Sequence, residues 1–363
     1  MLSLAQATRD TRLFAKFGAI AGIALFFLFL SFRLVVFIYG IINPPVVTPP
    51  EMKFGELISN LPPQVGKPSY TYQIGTITGN LPQAPDRLRV YRVLKSDPDL
   101  LALQKAREAV RLQGYFMIET MITTNEYKWN NISGGSLTYN ILNKNFEFTS
   151  GMGLEKQDFI LPAEKSITSN ILKYIQDLNG SLVGIDQENV KMKYLQFNGT
   201  DLIPETDTGN AYMVQVDFQQ IPVKVDPFPF TTDKTETIEA LPIYYESTER
   251  TNQSFLVKAG GGRQQLQFVN GNYKNYIVDT TTHSTYPLKT SEQAFEDLQN
   301  GNAYILSTNP DSMIIIAEVK LGYFIPESAP EYIMPIYIFT GKDFVAYVHG
   351  LSKSIATDQN LSN

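Results

Sequence analysis

Residues 290–307 read TSEQAFEDLQNGNAYILS, and this stretch decides how the chain is expected to fold. Thr290-Ser291-Glu292-Gln293 has the pattern of a capping box, in which a Thr and a Gln three residues later satisfy free backbone N–H groups at a helix start. Asn300-Gly301 then ends the helix, because Gly adopts the left-handed conformation at little cost. Runs of β-branched and aromatic residues follow, and they predict strands at 303–306, 313–321, 332–340 and 344–349.

The same order, a helix that ends at Gly and then antiparallel strands, occurs twice more upstream. One helix is predicted between Asp97 and Gly114, and another between Ala163 and Gly180, each with an apolar stripe at helical spacing. We therefore expect an α+β fold with helices packed on antiparallel sheets. The upstream strands are predicted at 115–123, 126–130, 136–142, 146–149, 190–197, 211–218, 255–257, 265–269 and 273–278.

Turn-forming residues predict the boundaries inside this domain. Asn270-Gly271, between two predicted strands, is a typical signal for a tight hairpin turn. The stretch Pro222–Pro229 (PVKVDPFP) favours a break between two lobes, because Pro provides no backbone donor for a strand. The predicted organisation is a cytoplasmic N-terminus (1–16), a transmembrane helix (17–42), a Pro-rich spacer (43–68), a first α+β lobe (69–222), a second α+β lobe (230–352) and a flexible tail (353–363).

The chain upstream of this domain contains one long apolar run. Residues 17–42 read FGAIAGIALFFLFLSFRLVVFIYGII, which exceeds the roughly 20 apolar residues that a bilayer-spanning helix needs. Basic residues just before the run place the N-terminus in the cytoplasm by the positive-inside rule. The alternative is a cleavable signal peptide, but no small-x-small cleavage site follows the apolar core. We expect a single-pass plasma-membrane protein whose C-terminal domain is extracytoplasmic.

Three residues of this predicted helix are candidates for a role in recognition. Gly18 and Gly22 have the small-xxx-small spacing that permits two helices to approach closely. Such spacing is also frequent by chance, and the helix would then be only a tether. Arg33 is the single charged residue of the run, and it lies about 24 Å along the helix from Phe17. Its guanidinium can extend to the outer interface or can pair with an acidic group on a partner helix.

Charge and cysteine content restrict the classes of partner and compartment. From Pro44 onward 26 basic residues face 35 acidic ones, a net charge of −9. An acidic domain without basic clusters is unsuited to nucleic acid and to anionic lipid headgroups. Contact with membrane lipid is expected only through the helix. The chain has no cysteine, so neither disulfides nor cysteine metal ligands are available to the domain.

No residue pattern in the chain indicates catalysis, a metal or a cofactor. The two histidines, His283 and His349, are isolated, and a zinc site needs more ligands than they provide. Residues 205–210 (ETDTGN) have oxygen ligands at alternating positions, but they lack the Gly and Glu positions of an EF-hand loop and fit a polar turn better. Trp129 lies in a predicted strand, where core packing is favoured over a carbohydrate platform. We therefore expect no catalytic, cofactor-binding or metal residues.

The C-terminal unit resembles a known family of envelope proteins. Its Tyr286-Pro287 step, its helix, its Asn-Gly stop and its strands ending at Gly322-Tyr323 and at Met334-Pro335 follow the order of YycH/YycI-type and PepSY-like domains. The first half resembles uncharacterised bacterial single-pass proteins with a Phe-Gly-x-Leu spacer, here Phe54-Gly55-Glu56-Leu57. The resemblance implies a membrane-anchored regulator that works by binding, with a partner such as a sensor kinase.

Besides a passive ligand-binding or structural module, two functions remain open from the sequence. The first is an extracytoplasmic binding or regulatory protein of the bacterial cell envelope without catalysis. The second is an envelope hydrolase of wall polymer or peptide. The acidic residues offer many carboxylate pairs for such chemistry, but no pattern selects two of them.

Overall fold

A computed structural model of the chain describes residues 21–23, 25–38, 49–64, 70–96, 99–156, 159–207, 209–225, 240–247, 251–261, 266–307 and 312–352. The chain divides into two compact units, Met1–Pro49 and Pro50–Asn363. The described residues of the first unit form one helix, α1 (Ala21–Ile38), with a mean hydropathy of 2.5. At about 1.5 Å per residue its 18 residues extend roughly 27 Å, close to the thickness of a bilayer core. The described part of the chain has no second helix of this length and apolarity.

The described residues of the second unit form three helices and nineteen strands, which confirms the predicted α+β class. In chain order they are β1 (Thr71–Ile74), β2 (Arg87–Val93), α2 (Ala102–Leu112), β3 (Glu119–Met121), β4 (Glu126–Asn130), β5 (Ser136–Asn140), β6 (Phe146–Thr149), α3 (Glu164–Asn179), β7 (Ile185–Phe197), β8 (Leu202–Pro204), β9 (Met213–Gln220), β10 (Val223–Lys224), β11 (Ala240–Leu241), β12 (Ile243–Tyr244), β13 (Gln253–Ala259), β14 (Leu266–Tyr273), β15 (Val278–Pro287), α4 (Ser291–Gln299), β16 (Tyr304–Ser307), β17 (Met313–Phe324), β18 (Tyr332–Gly341) and β19 (Phe344–His349).

Two large sheets contain most of these strands. The first has nine strands in the order β3-β4-β5-β6-β14-β13-β9-β7-β8, and every neighbouring pair in it is antiparallel. The second has eight strands, with β1-β17-β18-β19-β16 as its main path. In this second sheet β12 also pairs with β17, and β2 pairs with β15 and β18. The short strands β10 and β11 pair with each other.

Each sheet buries one face against helices, as the apolar stripes predict. The core of the nine-stranded sheet includes residues of α2 and α3, among them the fully buried Ile167, Ile171 and Ile175. Aromatic rings fill the space between helix and sheet, and Phe146 stacks on Tyr273 at 5.1 Å between ring centroids. Helix α4 packs on the eight-stranded sheet through residues that include Ala294 and Leu298.

The helix ends follow the sequence signals closely. Thr290 accepts from the backbone N–H of Gln293, and the Gln293 side chain accepts from the backbone N–H of Thr290, which confirms the capping box. Gly180 ends α3 in the left-handed conformation with φ of 77°. Helix α2 begins only at Ala102, later than predicted, and Asp97 lies outside the described residues.

The predicted hairpin turn at Asn270-Gly271 is wrong, because both residues lie inside β14. Gly271 pairs with Phe148 on one side and with Phe255 on the other. A Cβ atom at position 271 would lie 2.7 Å from the Phe255 ring and 2.8 Å from the Phe148 ring. The glycine is therefore required for close packing of aromatic rings across the strand and makes no turn.

The two predicted lobes, 69–222 and 230–352, each contribute strands to both sheets. Strands β1 and β2 of the first range lie in the eight-stranded sheet, whereas β13 and β14 of the second range lie in the nine-stranded sheet. The buried Gln220 of β9, in the nine-stranded sheet, connects to the other core. Its side-chain amide accepts from the Tyr245 hydroxyl and donates to the Tyr276 carbonyl, and both tyrosines belong to the core of the eight-stranded sheet.

Part of the predicted Pro-rich spacer packs on the eight-stranded sheet. We call residues 51–57 the docked segment. The backbone N–H groups of Glu51, Met52 and Lys53 donate to Thr285 and Ser284 of β15. The ring of Phe54 stacks on Tyr332 at 4.6 Å between centroids. The docked segment is thus bound to the eight-stranded sheet, although it precedes β1, the first strand, in the chain.

We predict that Phe54→Ala destabilises the second unit by about 1–2 kcal/mol, less than the 3–5 kcal/mol for a fully buried Phe, because Phe54 is only half-buried. Ile58→Ala is the control, since that side chain is 85% exposed and its loss should change stability by less than about 0.5 kcal/mol. Urea unfolding of a chain that begins at residue 50 measures both values. Equal effects of the two substitutions would show that the docked segment contributes nothing to stability.

Candidate functional site

Strand β3 forms one edge of the nine-stranded sheet in the part of the chain that the structure describes. It pairs with β4 through Glu119↔Trp129, Thr120↔Lys128 and Met121↔Tyr127. Hydrogen bonds to the neighbouring strand continue on both sides, from the N–H of Ile122 to the carbonyl of Glu126 and from the N–H of Asn130 to the carbonyl of Ile118.

Large apolar side chains on and beside this edge are exposed. Each is between 52% and 62% exposed, although the residues occupy only seven consecutive positions. Isolated exposed apolar residues are common on protein surfaces, whereas contiguous ones mark contact sites. We call this group the edge patch, and its members are Phe116, Met117, Ile118, Met121 and Ile122.

The hydrogen bonds of β3 establish which backbone groups face outward. Ile118 and Ile122 direct their backbone groups toward β4, as the two bonds above require. Because the direction alternates along a strand, Thr120 also faces β4, and Glu119 and Met121 direct their N–H and C=O groups to the open side. The edge therefore combines apolar side chains with backbone groups that can pair with a further strand.

The one charged residue of β3 is neutralised by the adjacent helix. Both carboxylate oxygens of Glu119 accept from Arg107 of α2 at 2.7 Å, and one also accepts from the Trp129 indole N–H at 3.0 Å. The hydrogen bond from Arg107 is the main cause that holds the pKa of Glu119 below its usual value. The carboxylate is thus directed toward α2, so it does not protect the edge as a free charge would.

The opposite edge of the same sheet, β8, has the protection that β3 lacks. Both edge strands are three residues long, but β8 ends in Pro204, which has no N–H to offer another strand. Asp201 precedes β8 and Glu205 follows it, so acidic side chains flank the strand. Pro and charge are among the features with which proteins prevent edges from pairing. The contrast indicates that β3 is an edge available for contact.

The predicted membrane-helix residues belong to the first unit. Gly18 lies outside the described residues, so its spacing to Gly22 remains a prediction. Gly22 is in α1, and nothing lies within 4 Å of where its Cβ would be. The Arg33 guanidinium lies 5.6 Å from the centre of the Phe29 ring, one helical turn earlier, in a cation–π arrangement.

The other sequence candidates have structural contacts that agree with packing or turn formation. Trp129 is 3% exposed and belongs to the core, which agrees with the core packing that the sequence favours. The Asp207 carboxylate accepts from Gly209 and Asn210 within its own turn. Among the described residues, no three His, Asp or Glu side chains are grouped so that they could hold a metal ion.

A polar cleft lies on β7 and β9 of the nine-stranded sheet. Its volume is about 350 Å³, and Lys191, Lys193, Gln215 and Asp217 line it together with Met192. Asp217 is 5% exposed and accepts from the Ser254 hydroxyl at 2.5 Å and from the Gln215 amide. These bonds fix the carboxylate within the sheet face.

The comparisons with known proteins identify no family. No protein-family model matches the chain, and no curated protein does. One of the solved structures that match is the Bacillus megaterium YpeB C-terminal domain, with 10% sequence identity and a TM-score of 0.27. The match covers 72% of this chain and all of that one. A likeness of this size supports no inference about activity or partner.

His349, the last residue of β19, lies beside a partly buried ion pair between Lys289 and Asp297. Lys289 donates to the His349 carbonyl at 2.9 Å and pairs with Asp297 at 2.8 Å, and Nδ1 of His349 is buried without a hydrogen-bond partner. Burial is the main cause that lowers the pKa of His349 to about 4, and the Lys289 charge adds to it. The folded protein therefore favours the neutral imidazole.

We predict that the contribution of His349 to stability is fully present above pH 6.5 and is lost as the pH falls from 6.5 toward 4, because the unfolded chain then binds a proton that the folded one excludes. The loss is at most about 3.4 kcal/mol, at 1.36 kcal/mol per pKa unit. Urea unfolding across this range measures it. His349→Asn removes the titration, and an unchanged pH dependence in this variant would contradict the assignment.

Proposed function

We propose that the protein is a membrane-anchored, extracytoplasmic binding or regulatory protein of the bacterial cell envelope that acts through protein contacts at the edge patch. The observation that carries the proposal is an apolar sheet edge without Pro, free charge or a covering strand among the described residues. Such an edge accepts an extended strand from a partner, whose backbone provides affinity and whose side chains provide specificity.

The anchor and the docked segment support the same function. Helix α1 has the length and apolarity to hold the second unit at a membrane. The docked segment begins at Glu51, two residues into the second unit, and it is held by hydrogen bonds to β15. We propose a membrane-anchored protein as the class of partner at the edge patch. The family resemblance implies a membrane protein such as a sensor kinase as a partner of the protein, through this or another surface.

The contact is testable by photo-crosslinking in intact membranes. We predict that benzoylphenylalanine at Ile122, within the edge patch, forms a protein adduct on irradiation of the full-length protein. The control is the same replacement at Ile77, which is 105% exposed in the turn after β1. Adducts at both positions to the same extent, or at neither, would contradict a contact function for the edge.

The proposed orientation is testable with introduced cysteines, since the chain has none of its own. We predict that Gln6→Cys reacts with a membrane-impermeant maleimide only after lysis, because the residue precedes α1 on the cytoplasmic side. Thr78→Cys, at an exposed position of the second unit, should react in intact spheroplasts. Labelling in the reverse order would contradict the orientation.

A further inference from the structure

We propose that the partner at the edge patch is a second copy of this chain, with the two β3 strands antiparallel around a two-fold axis at Thr120. This inference rests on the proposed contact function and specifies its partner. Antiparallel pairing of a strand with its own copy generates a two-fold axis, and contacts are then isologous, so each residue pair occurs twice.

The side chains of β3 are complementary to themselves in this register. With Thr120 opposite Thr120 of the second copy, Ile118 lies opposite Ile122 and Glu119 lies opposite Met121. Opposing residues project to the same face of a sheet, so the Ile pair and the Thr pair are neighbours on one face. Cross-strand pairs of β-branched residues and of Thr with Thr are favourable.

The register with its axis at Thr120 also keeps the two Glu119 side chains apart. If the axis passed through Glu119, two carboxylates would lie directly opposite each other, which is less favourable than a carboxylate opposite Met121 even though each is paired with Arg107. With the axis at Thr120, each Glu119 faces Met121 of the other copy and keeps its bonds to Arg107.

The outward backbone groups match the same register. Glu119 and Met121 are the residues whose N–H and C=O groups face the open side, and in this register they oppose each other across the axis. Such a pair exchanges two hydrogen bonds, and the symmetry provides it twice. Thr120 then forms a non-hydrogen-bonded pair with its copy, in which the two Cα atoms are about 4.5 Å apart.

Full burial of the edge patch would reach the lower limit of a biological interface. Its five side chains are between 52% and 62% exposed. At about 100 Å² each, complete burial of all five in both copies would remove at most roughly 1,000 Å² from water, so the proposed interface is at the small end of biological contacts. Confinement of both copies to one membrane raises their effective concentration and favours association through an interface of this size.

The absence of cysteine from the chain permits a direct test in the full-length protein in its membrane. Thr120→Cys places one thiol at the axis, where the Cα separation lies within the range that a disulfide spans. Thr123→Cys is the matched control, because the two copies of position 123 would be about 20 Å apart along the strands. After mild oxidation, we expect at least about tenfold more disulfide dimer from Thr120→Cys than from the control.

Two substitutions that introduce opposite charges at positions 118 and 122 test the register itself. Adding Ile118→Lys to Thr120→Cys should abolish the dimer, because the lysine faces an apolar side chain. Adding Ile122→Glu as well should restore it, because the lysine of one copy then faces the glutamate of the other. Restoration also shows that the first variant had not lost its dimer by misfolding.

The possible outcomes separate this inference from the function on which it rests. Equal dimer from both cysteine positions, or none from Thr120→Cys, overturns the two-fold pairing. If the benzoylphenylalanine adduct at Ile122 then has a mass other than that of a dimer, the contact function holds and its partner is a different protein. If no protein adduct forms at Ile122, the contact function itself fails.

Discussion

An antiparallel sheet that does not close must end in two strands whose outer backbone groups lack a strand neighbour, and the nine-stranded sheet is governed by this constraint. Its interior strands, β4, β5, β6, β14, β13, β9 and β7 in sheet order, have a hydrogen-bonded neighbour on both sides. Helices α2 and α3 cover one face of the sheet. At β8 a proline and flanking acidic residues disfavour pairing with a further strand. At β3 the chain places apolar side chains instead, and the functional interpretation of the molecule follows from this asymmetry.

The second constraint is the burial of polar groups. Each sheet has a separate apolar core, and the Gln220 side chain in the nine-stranded sheet bonds to Tyr245 and Tyr276 of the other core. An unpaired buried polar group costs about 1–3 kcal/mol. The two bonds of Gln220 avoid that cost and also connect the two cores.

Local signals in the sequence predicted local structure well. The capping box at Thr290 and the glycine at 180 determine helix ends through contacts within a few residues, so the residues themselves are sufficient evidence. The Asn270-Gly271 prediction failed because its cause is distant, namely the rings of Phe148 and Phe255 on neighbouring strands.

The candidate site could not be predicted for the same reason. Residues 115–122 read YFMIETMI, which predicts a strand, and the run lacks the apolar–polar alternation of a half-buried one. That missing alternation was the available signal. Whether such a strand is central or at an edge depends on the pairing of the whole sheet, which no local pattern encodes. Likewise, the sequence indicates only a spacer at the docked segment, because its partners, Ser284 and Thr285, lie more than 200 residues away in the chain.

The docked segment also determines where mechanical load enters the second unit. Tension applied to the chain at Pro50 is first resisted by the bonds between residues 51–53 and β15, and by the Phe54–Tyr332 stack on β18. Strand β15 passes the load to β2 through its ladder, and β2 pairs with β18 in turn. The eight-stranded sheet thus provides the first contacts that resist this tension.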